Sequence, residues 1–546
     1  MARILIDLSY IFIEFSTILF FKDNIISTLN FNNSAQKIRV KTMNRYSGLF
    51  LHPTSMPSRY GIGDLGNFSF TWIEMLSQMK QSFWQLCPLG PTGYGDSPYQ
   101  CFSSFAGNAL LISPDSLEAE GLLTHTELEN YPRLPDSEVD FGAVIVQKEK
   151  IFRTAYSRFT DTDEFVQFCE KEQYWLNDYA LFRVIKELMG GQPWYLWDAP
   201  LKMRHPAAIK EILATEHNMI RYQKFLQFCF NRQWIALKSY AQKNKIQIIG
   251  DIPYYTAYDS SDVWAASELF ELDESGKPLR VAGVPPDYFS ADGQLWGNPL
   301  YRWGKMRKEG YSWWINRIQK TLQMVDYIRL DHFRGFESFW AIPSSSNTAK
   351  NGVWEKGPGI DFFNVIKQKL GKLPIIAEDL GEITQEVELL RQQAGLHGMK
   401  VLQFAFDGNP HNPYLPYNIF PDSVIYTGTH DNDTSMGWYN SLPSENKVFV
   451  HNFLGCNGAT VFMQLFLRLA FGSPSRLCII PFQDVLGLGT EHRMNTPGTG
   501  SGNWKWRFTE KQISKEKLQE IKELTNVFGR APDKDKKTNP EKRNSK

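Results

Sequence analysis

Tyr327-Ile-Arg-Leu-Asp-His-Phe-Arg-Gly335 is a short apolar run that opens into charge. Read as a strand, it sets Arg329 and Asp331 on one side, because side chains two apart on a strand face the same way. An arginine beside a carboxylate favours the charged form of that carboxylate. A buried structural ion pair would account for this run alone. Two later runs change the balance. Pro374-Ile-Ile-Ala-Glu-Asp-Leu-Gly381 ends in adjacent carboxylates that must face opposite ways, and Ser423-Val-Ile-Tyr-Thr-Gly-Thr-His-Asp-Asn-Asp433 ends with His430 beside Asp431. The three runs are spaced at one to two strand–helix units of about 30 residues each, the interval that brings strand ends together at one barrel mouth.

Working outward, similar runs occur at Phe83–Leu89, Ile246–Tyr255, Met399–Phe404 and Leu477–Pro481, separated by longer helix-like segments. This alternation predicts an α/β fold, a (β/α)8 TIM barrel with inserted helical subdomains, and Asp251 ends one of the runs as Asp331, Glu378 and Asp431 end others. The stretch from about 115 to 245 reads as a helical insertion, with Trp175–Leu188 and Ile220–Gln242 as its clearest helices. The expected domains are an N-terminal extension over 1–44, a catalytic barrel over 45–530, and a charged tail over 531–546 without apolar periodicity. Ile4 to Phe21 is apolar, but Asp7 and Glu14 interrupt it and no small-residue cleavage site follows, so no membrane partner is expected. Met43 offers an alternative start that would make the first 42 residues dispensable.

Lysine plus arginine equals aspartate plus glutamate at 59 each, which argues against nucleic acid and anionic lipid as partners. With 16 Trp, 23 Tyr and 38 Phe the chain is rich in flat apolar faces, which suit a core and also the C–H faces of sugar rings. The six cysteines are scattered without a C-x-x-C, as expected of reduced thiols in a cytoplasmic compartment, a plastid being left open. No phosphate-binding glycine loop or cysteine–histidine metal spacing is present, so no cofactor and no metal is called for.

The residue types at the strand ends suit glycosidic chemistry. An ionised aspartate at a barrel mouth can attack an anomeric carbon, which fits Asp331. Glu378, with its longer reach, is the better candidate to face the mouth as a general acid and base, leaving Asp379 to cap the following helix.

Five further segments carry a family resemblance: Leu51-His-Pro-Thr-Ser55, Pro88-Leu-Gly-Pro-Thr-Gly-Tyr-Gly-Asp-Ser-Pro-Tyr-Gln100, Gly283-Val-Pro-Pro-Asp-Tyr-Phe-Ser290, Trp296-Gly-Asn-Pro-Leu-Tyr-Arg-Trp303 and Ser501-Gly-Asn-Trp504. With them the sequence, from about Gly48 to Phe508, resembles the 4-α-glucanotransferases of glycoside hydrolase family 77. The resemblance implies retaining transfer of α-1,4-glucan segments between malto-oligosaccharides derived from starch or glycogen. It implies Asp331 as nucleophile, Glu378 as acid/base and Asp431 as the third carboxylate, assisted by Arg329 and His430. It further implies substrate contacts at Tyr99, Ser97 and Asn503, and at Asp287 and Trp296 on a loop that arches over the cleft at 281–303. Tyr94 would belong to a second glucan-binding surface and Phe404 to the acceptor side. Two departures stand out: Ala291 occupies a place where the family often carries a polar residue, and the first 44 residues have no counterpart in compact members. Two rival readings are an α-amylase-like hydrolase with the same carboxylates and a non-catalytic glucan-binding scaffold. The arching loop and the Tyr-Gly-Asp-Ser-Pro-Tyr run argue against the first, and the three carboxylates against the second.

Overall fold

A computed structural model describes residues 44–286, 291–456 and 458–532. The proposed extension except Asn44, the substrate contact Asp287, and the tail beyond Pro532 therefore lie outside the described residues. Twelve strands occur among the described residues: β1 (Tyr46–Phe50), β2 (Phe83–Gln85), β3 (Gln247–Ile252), β4 (Arg280–Val284), β5 (Gln294–Pro299), β6 (Tyr327–Leu330), β7 (Ser338–Pro343), β8 (Val353–Lys356), β9 (Ile375–Ala377), β10 (Gly398–Val401), β11 (Ser423–Tyr426) and β12 (Leu477–Pro481). Eight of them form one parallel sheet in the order β10-β11-β12-β1-β2-β3-β6-β9. The two ends meet where Ile376 bridges His397 in parallel, with Ala377 N donating to His397 O at 2.8 Å. The result is the eight-stranded barrel expected from the sequence, with strands following one another around the ring in chain order.

Seven of the eight barrel strands match runs recognised in the sequence, most of them shorter than expected. The eighth, β1, was not among those runs. Its Ser47 and Gly48 have poor strand propensity, and tertiary packing decides the outcome. A Cβ on Gly48 would stand 2.5 Å from both the Cβ and the carbonyl oxygen of Phe83, so only glycine lets β1 lie this close to β2. At the other side β1 pairs with β12, Tyr46 opposite Leu477. Two arginines fasten this seam through main-chain carbonyls. Arg45 donates to Phe528 O at 3.1 Å and Phe471 O at 2.9 Å, and the fully buried Arg530 donates to Phe471 O and Tyr46 O, each at 2.8 Å.

Between β2 and β3 the chain is largely helical, including Phe141–Arg158, Asp163–Leu188 and His217–Lys243. The Asp163 helix begins where the Thr162 side chain accepts from Phe165 N, a cap that satisfies one of the free N–H groups of the first turn. It buries Phe165, Phe168 and Trp175 in an aromatic cluster with Phe105 and Phe228.

A second, antiparallel sheet, in the order β5-β4-β7-β8, rises from the segments that follow β3 and β6. Its first hairpin occupies the segment expected as an arching loop, and its second lies where no strands were expected. One face of the sheet, with Ala282, Phe339 and Ala341, is buried in the main core, while Trp340 and Ile342 face the other way. The two faces are not distinguishable in Ser338-Phe-Trp-Ala-Ile-Pro343, whose four central residues are all apolar. The sheet stands over the C-terminal ends of β3 and β6, where the site lies.

Candidate active site

Four strand ends deliver carboxylates to one place. Asp251 ends β3, and Asp331, Glu378 and Asp431 follow β6, β9 and β11. At the centre is Arg329, 3% exposed, whose Nη1 donates to Asp251 Oδ2 at 2.7 Å and forms an ion pair with Asp331 Oδ1 at 2.8 Å. Burial opposes the charge of Arg329, but Asp251 and Asp331 outweigh it and hold its pKa well above the ordinary value. Asp331 keeps 27% of its side chain exposed, so it is the member of this trio that faces solvent. Asp251 is buried and also accepts from Tyr99 OH at 2.8 Å; burial pushes it up to about 6, with Arg329 pulling the other way. The sequence marked Asp251 only as a strand end and gave it no role in the site. Its Oδ1 is buried without a protein partner.

Glu378 is half-buried and its two oxygens accept main-chain N–H groups, Oε2 from His332 at 2.8 Å and Oε1 from Leu380 at 3.1 Å. Burial raises its pKa well above the carboxylate range; Arg329 opposes this, while Asp331 and Asp379 add to it. A carboxyl whose pKa is raised in this way is suited to serve as an acid. Asp379 turns the other way. It accepts from Met399 N at 2.6 Å and pairs with Arg391 at 3.2 Å, so it ties β9 to β10 and does not cap the next helix, whose N-cap is Thr384.

The third strand end is braced from below. Asp484 accepts from Thr427 Oγ1 at 2.6 Å and from Ser435 N at 2.8 Å, and Asn432 accepts from Thr429 N at 2.9 Å, which fixes the turn that carries His430 and Asp431. Asp431 accepts from Asn495 Nδ2 at 2.6 Å and lies 3.3 Å from His430 Nε2. Burial would raise its pKa, but His430, the Asn495 hydrogen bond and Arg329 together hold it well below the usual range, so it stays ionised. Arg493 Nη2 donates to the Asp431 carbonyl at 2.5 Å. Neither Asn495 nor Arg493 was singled out in the sequence; they lie just upstream of the Ser501-Gly-Asn-Trp504 segment, the one signal that pointed there. Tyr99 stacks on His430 with ring centroids 4.9 Å apart and 19° between planes, which links the Asp251 and Asp431 groups. Behind His430 lies His52, buried and pushed down to about 3 by burial and then by His430.

The remaining candidates form a rim. Trp296, on β5, meets the ring of His332 edge-on at 4.9 Å and donates from Nε1 to Gln294 Oε1 at 3.1 Å. Ser97 Oγ accepts from Tyr99 N at 3.2 Å and so shapes the turn that presents Tyr99. Tyr94 is 81% exposed, and Asn503 is engaged in its own loop, accepting from Thr496 N at 2.9 Å. Phe404 is 39% exposed, with Tyr414 edge-on at 5.5 Å. Among the described residues no group of three His, Cys, Asp or Glu is placed to hold a metal ion.

A closed (β/α)8 barrel with carboxylates from four strand ends gathered around one buried arginine, rimmed by exposed aromatics, is the architecture of a carbohydrate-processing barrel enzyme. Comparison with known proteins narrows the class. The sequence pattern described as 4-alpha-glucanotransferase matches residues 51–513. A 4-alpha-glucanotransferase of Synechocystis is 47% identical over 498 residues, covering 89% of this chain and 98% of the relative. The chloroplastic/amyloplastic 4-alpha-glucanotransferase of Solanum tuberosum is 44% identical over 85% of this chain and 82% of its own. Among solved structures, an amylomaltase from Streptococcus agalactiae in complex with acarbose superposes with a TM-score of 0.87 at 37% identity, covering 90% of this chain and all of that one. The chain belongs to the 4-alpha-glucanotransferase family, and its activity is 4-alpha-glucan transfer.

Proposed function

We propose that transfer proceeds by retaining double displacement, with Asp331 as nucleophile, Glu378 as acid/base and Asp431 as the carboxylate that supports positive charge on the sugar. The observation that carries this reading is the division of labour at the mouth: Arg329 braces the half-buried, solvent-facing Asp331, while Glu378, with its oxygens held by two main-chain N–H groups, has its pKa raised by burial. In the first step an Asp331 carboxylate oxygen attacks the anomeric carbon. The glycosidic C–O bond breaks and Glu378 gives its proton to the departing sugar oxygen. In the second, Glu378 takes the proton of an incoming sugar 4-hydroxyl, whose oxygen displaces Asp331 and restores the α-linkage.

The ester must outlast exposure to water, so acceptor placement and shielding decide between transfer and hydrolysis. Trp296 on its hairpin and Tyr99 stacked on His430 supply apolar faces for that purpose. The acarbose complex of the Streptococcus agalactiae relative supports a malto-oligosaccharide or starch-derived glucan as the occupant of the same cleft. Six free cysteines and the chloroplastic/amyloplastic relative support a reducing compartment, cytoplasm or plastid. Incubation with maltotriose tests the reading: the expected products are glucose and a ladder of longer oligomers with little change in reducing ends. A steady rise in reducing ends overturns it.

A further inference from the structure

His332 follows Asp331 directly, and its backbone is left-handed, at φ 47° and ψ 50°. Histidine is one of the non-glycine residues that visit this region, at a strain of about 1 kcal/mol. Glycine would sit there more easily. What the strained turn achieves is direction: it points the His332 N–H at Glu378 Oε2, 2.8 Å away. The imidazole of the same residue lies under the arching hairpin. Trp296 meets it edge-on at 4.9 Å with an interplanar angle of 83°, and Tyr254 and Tyr255 lie at 5.9 and 6.1 Å. Its Nε2 is buried without a protein partner. One residue therefore touches the hairpin through its ring and Glu378 through its main chain.

We propose that His332 is a positioning residue that couples the arching hairpin to Glu378, its ring seating Trp296 and its left-handed N–H setting the orientation from which Glu378 protonates the leaving oxygen. The inference rests on Glu378 being the acid/base. A glucan that presses Trp296 down shifts the imidazole and with it the amide that holds Glu378, and a strained turn of this kind persists only where the surrounding structure fixes it. Proton delivery then becomes efficient when the cleft is filled, which favours transfer over premature hydrolysis.

The test uses two donors in the intact protein. Maltotriose needs a proton on its leaving oxygen, whereas α-glucosyl fluoride does not, and its burst of released fluoride reports ester formation alone. His332→Asn keeps the N–H and tolerates the left-handed turn but lacks the ring. Its expected effect is a fall of about tenfold or more in kcat for maltotriose, part of the 10²–10⁴-fold that acid–base catalysis supplies, with the fluoride burst within about twofold of the parent. Trp296→Ala should lower the ratio of the two rates in the parent and add nothing to it in the His332→Asn background. Equal losses on both donors, no loss on maltotriose, or independent effects in the double variant would overturn the coupling. Glu378→Gln serves as the control: loss of its fluoride burst along with maltotriose cleavage would sink the acid/base assignment itself, whatever His332 does.

Discussion

Asp251 shows how a buried residue can govern a half-buried one that faces solvent. It holds Arg329 and Tyr99, and Arg329 in turn holds Asp331, so its charge sets the geometry of a nucleophile it does not touch. Asp251→Asn leaves Arg329 a weaker partner, and a hydrogen bond between charged groups contributes about 1.5–3 kcal/mol, so kcat/KM for maltotriose should fall by roughly 10- to 100-fold. Steady-state kinetics on a variant with an unchanged far-UV spectrum would check this. Asp331→Asn should go further, lowering kcat by roughly four orders of magnitude and abolishing any trapped glucosyl ester in mass spectra of proteolytic fragments, because an amide cannot attack the anomeric carbon. An ester found on Asp431 would reassign the nucleophile. At this scale the sequence was legible wherever a motif ended a strand. Asp251 was visible but without a role, and Asn495 and Arg493 were silent, because they reach Asp431 from a loop more than sixty residues on, a contact no local pattern encodes.

Elements show the same divide between local and distant information. The barrel strands could be read because parallel strands buried on both faces leave continuous apolar runs. β1 could not, since Gly48 is chosen by its neighbour Phe83 and not by strand propensity. Gly48→Ala should therefore destabilise by about 1–3 kcal/mol, read as a lowered denaturation midpoint, because the added methyl meets main chain that cannot step aside. The hairpin of β4 and β5 belongs to the site rather than to the barrel. Trp296→Ala should raise the share of hydrolysis among turnovers, measured as reducing ends formed per glucose released, because the ester becomes wetter and the acceptor less firmly held. Unchanged partitioning would demote the hairpin to scaffolding.

For the molecule as a whole, two histidines, one buried and one half-buried, shape the response to acid. His52 and His332 are both pushed down to about 3, chiefly by burial, so each is neutral when folded and takes up a proton when unfolded at any pH between about 3 and its ordinary value of 6.5. The stability they contribute is present above 6.5 and is lost as pH falls. A His52→Gln variant, less stable at pH 7 through altered packing, should lose stability less steeply on acidification across that window, as melting curves taken at several pH values would show. The seam between β1 and β12 has a different consequence, one of timing. Tyr46 waits for Leu477, and the clamp that fastens the pair waits for Arg530. At 5–20 residues per second a ribosome needs roughly 20 to 100 seconds to make what lies between. For that interval the nascent chain carries an open strand edge on β1 and an unfinished apolar wall, the condition in which chains associate with one another. Production of this enzyme should accordingly depend on slow growth or on chaperones far more than its final stability would suggest.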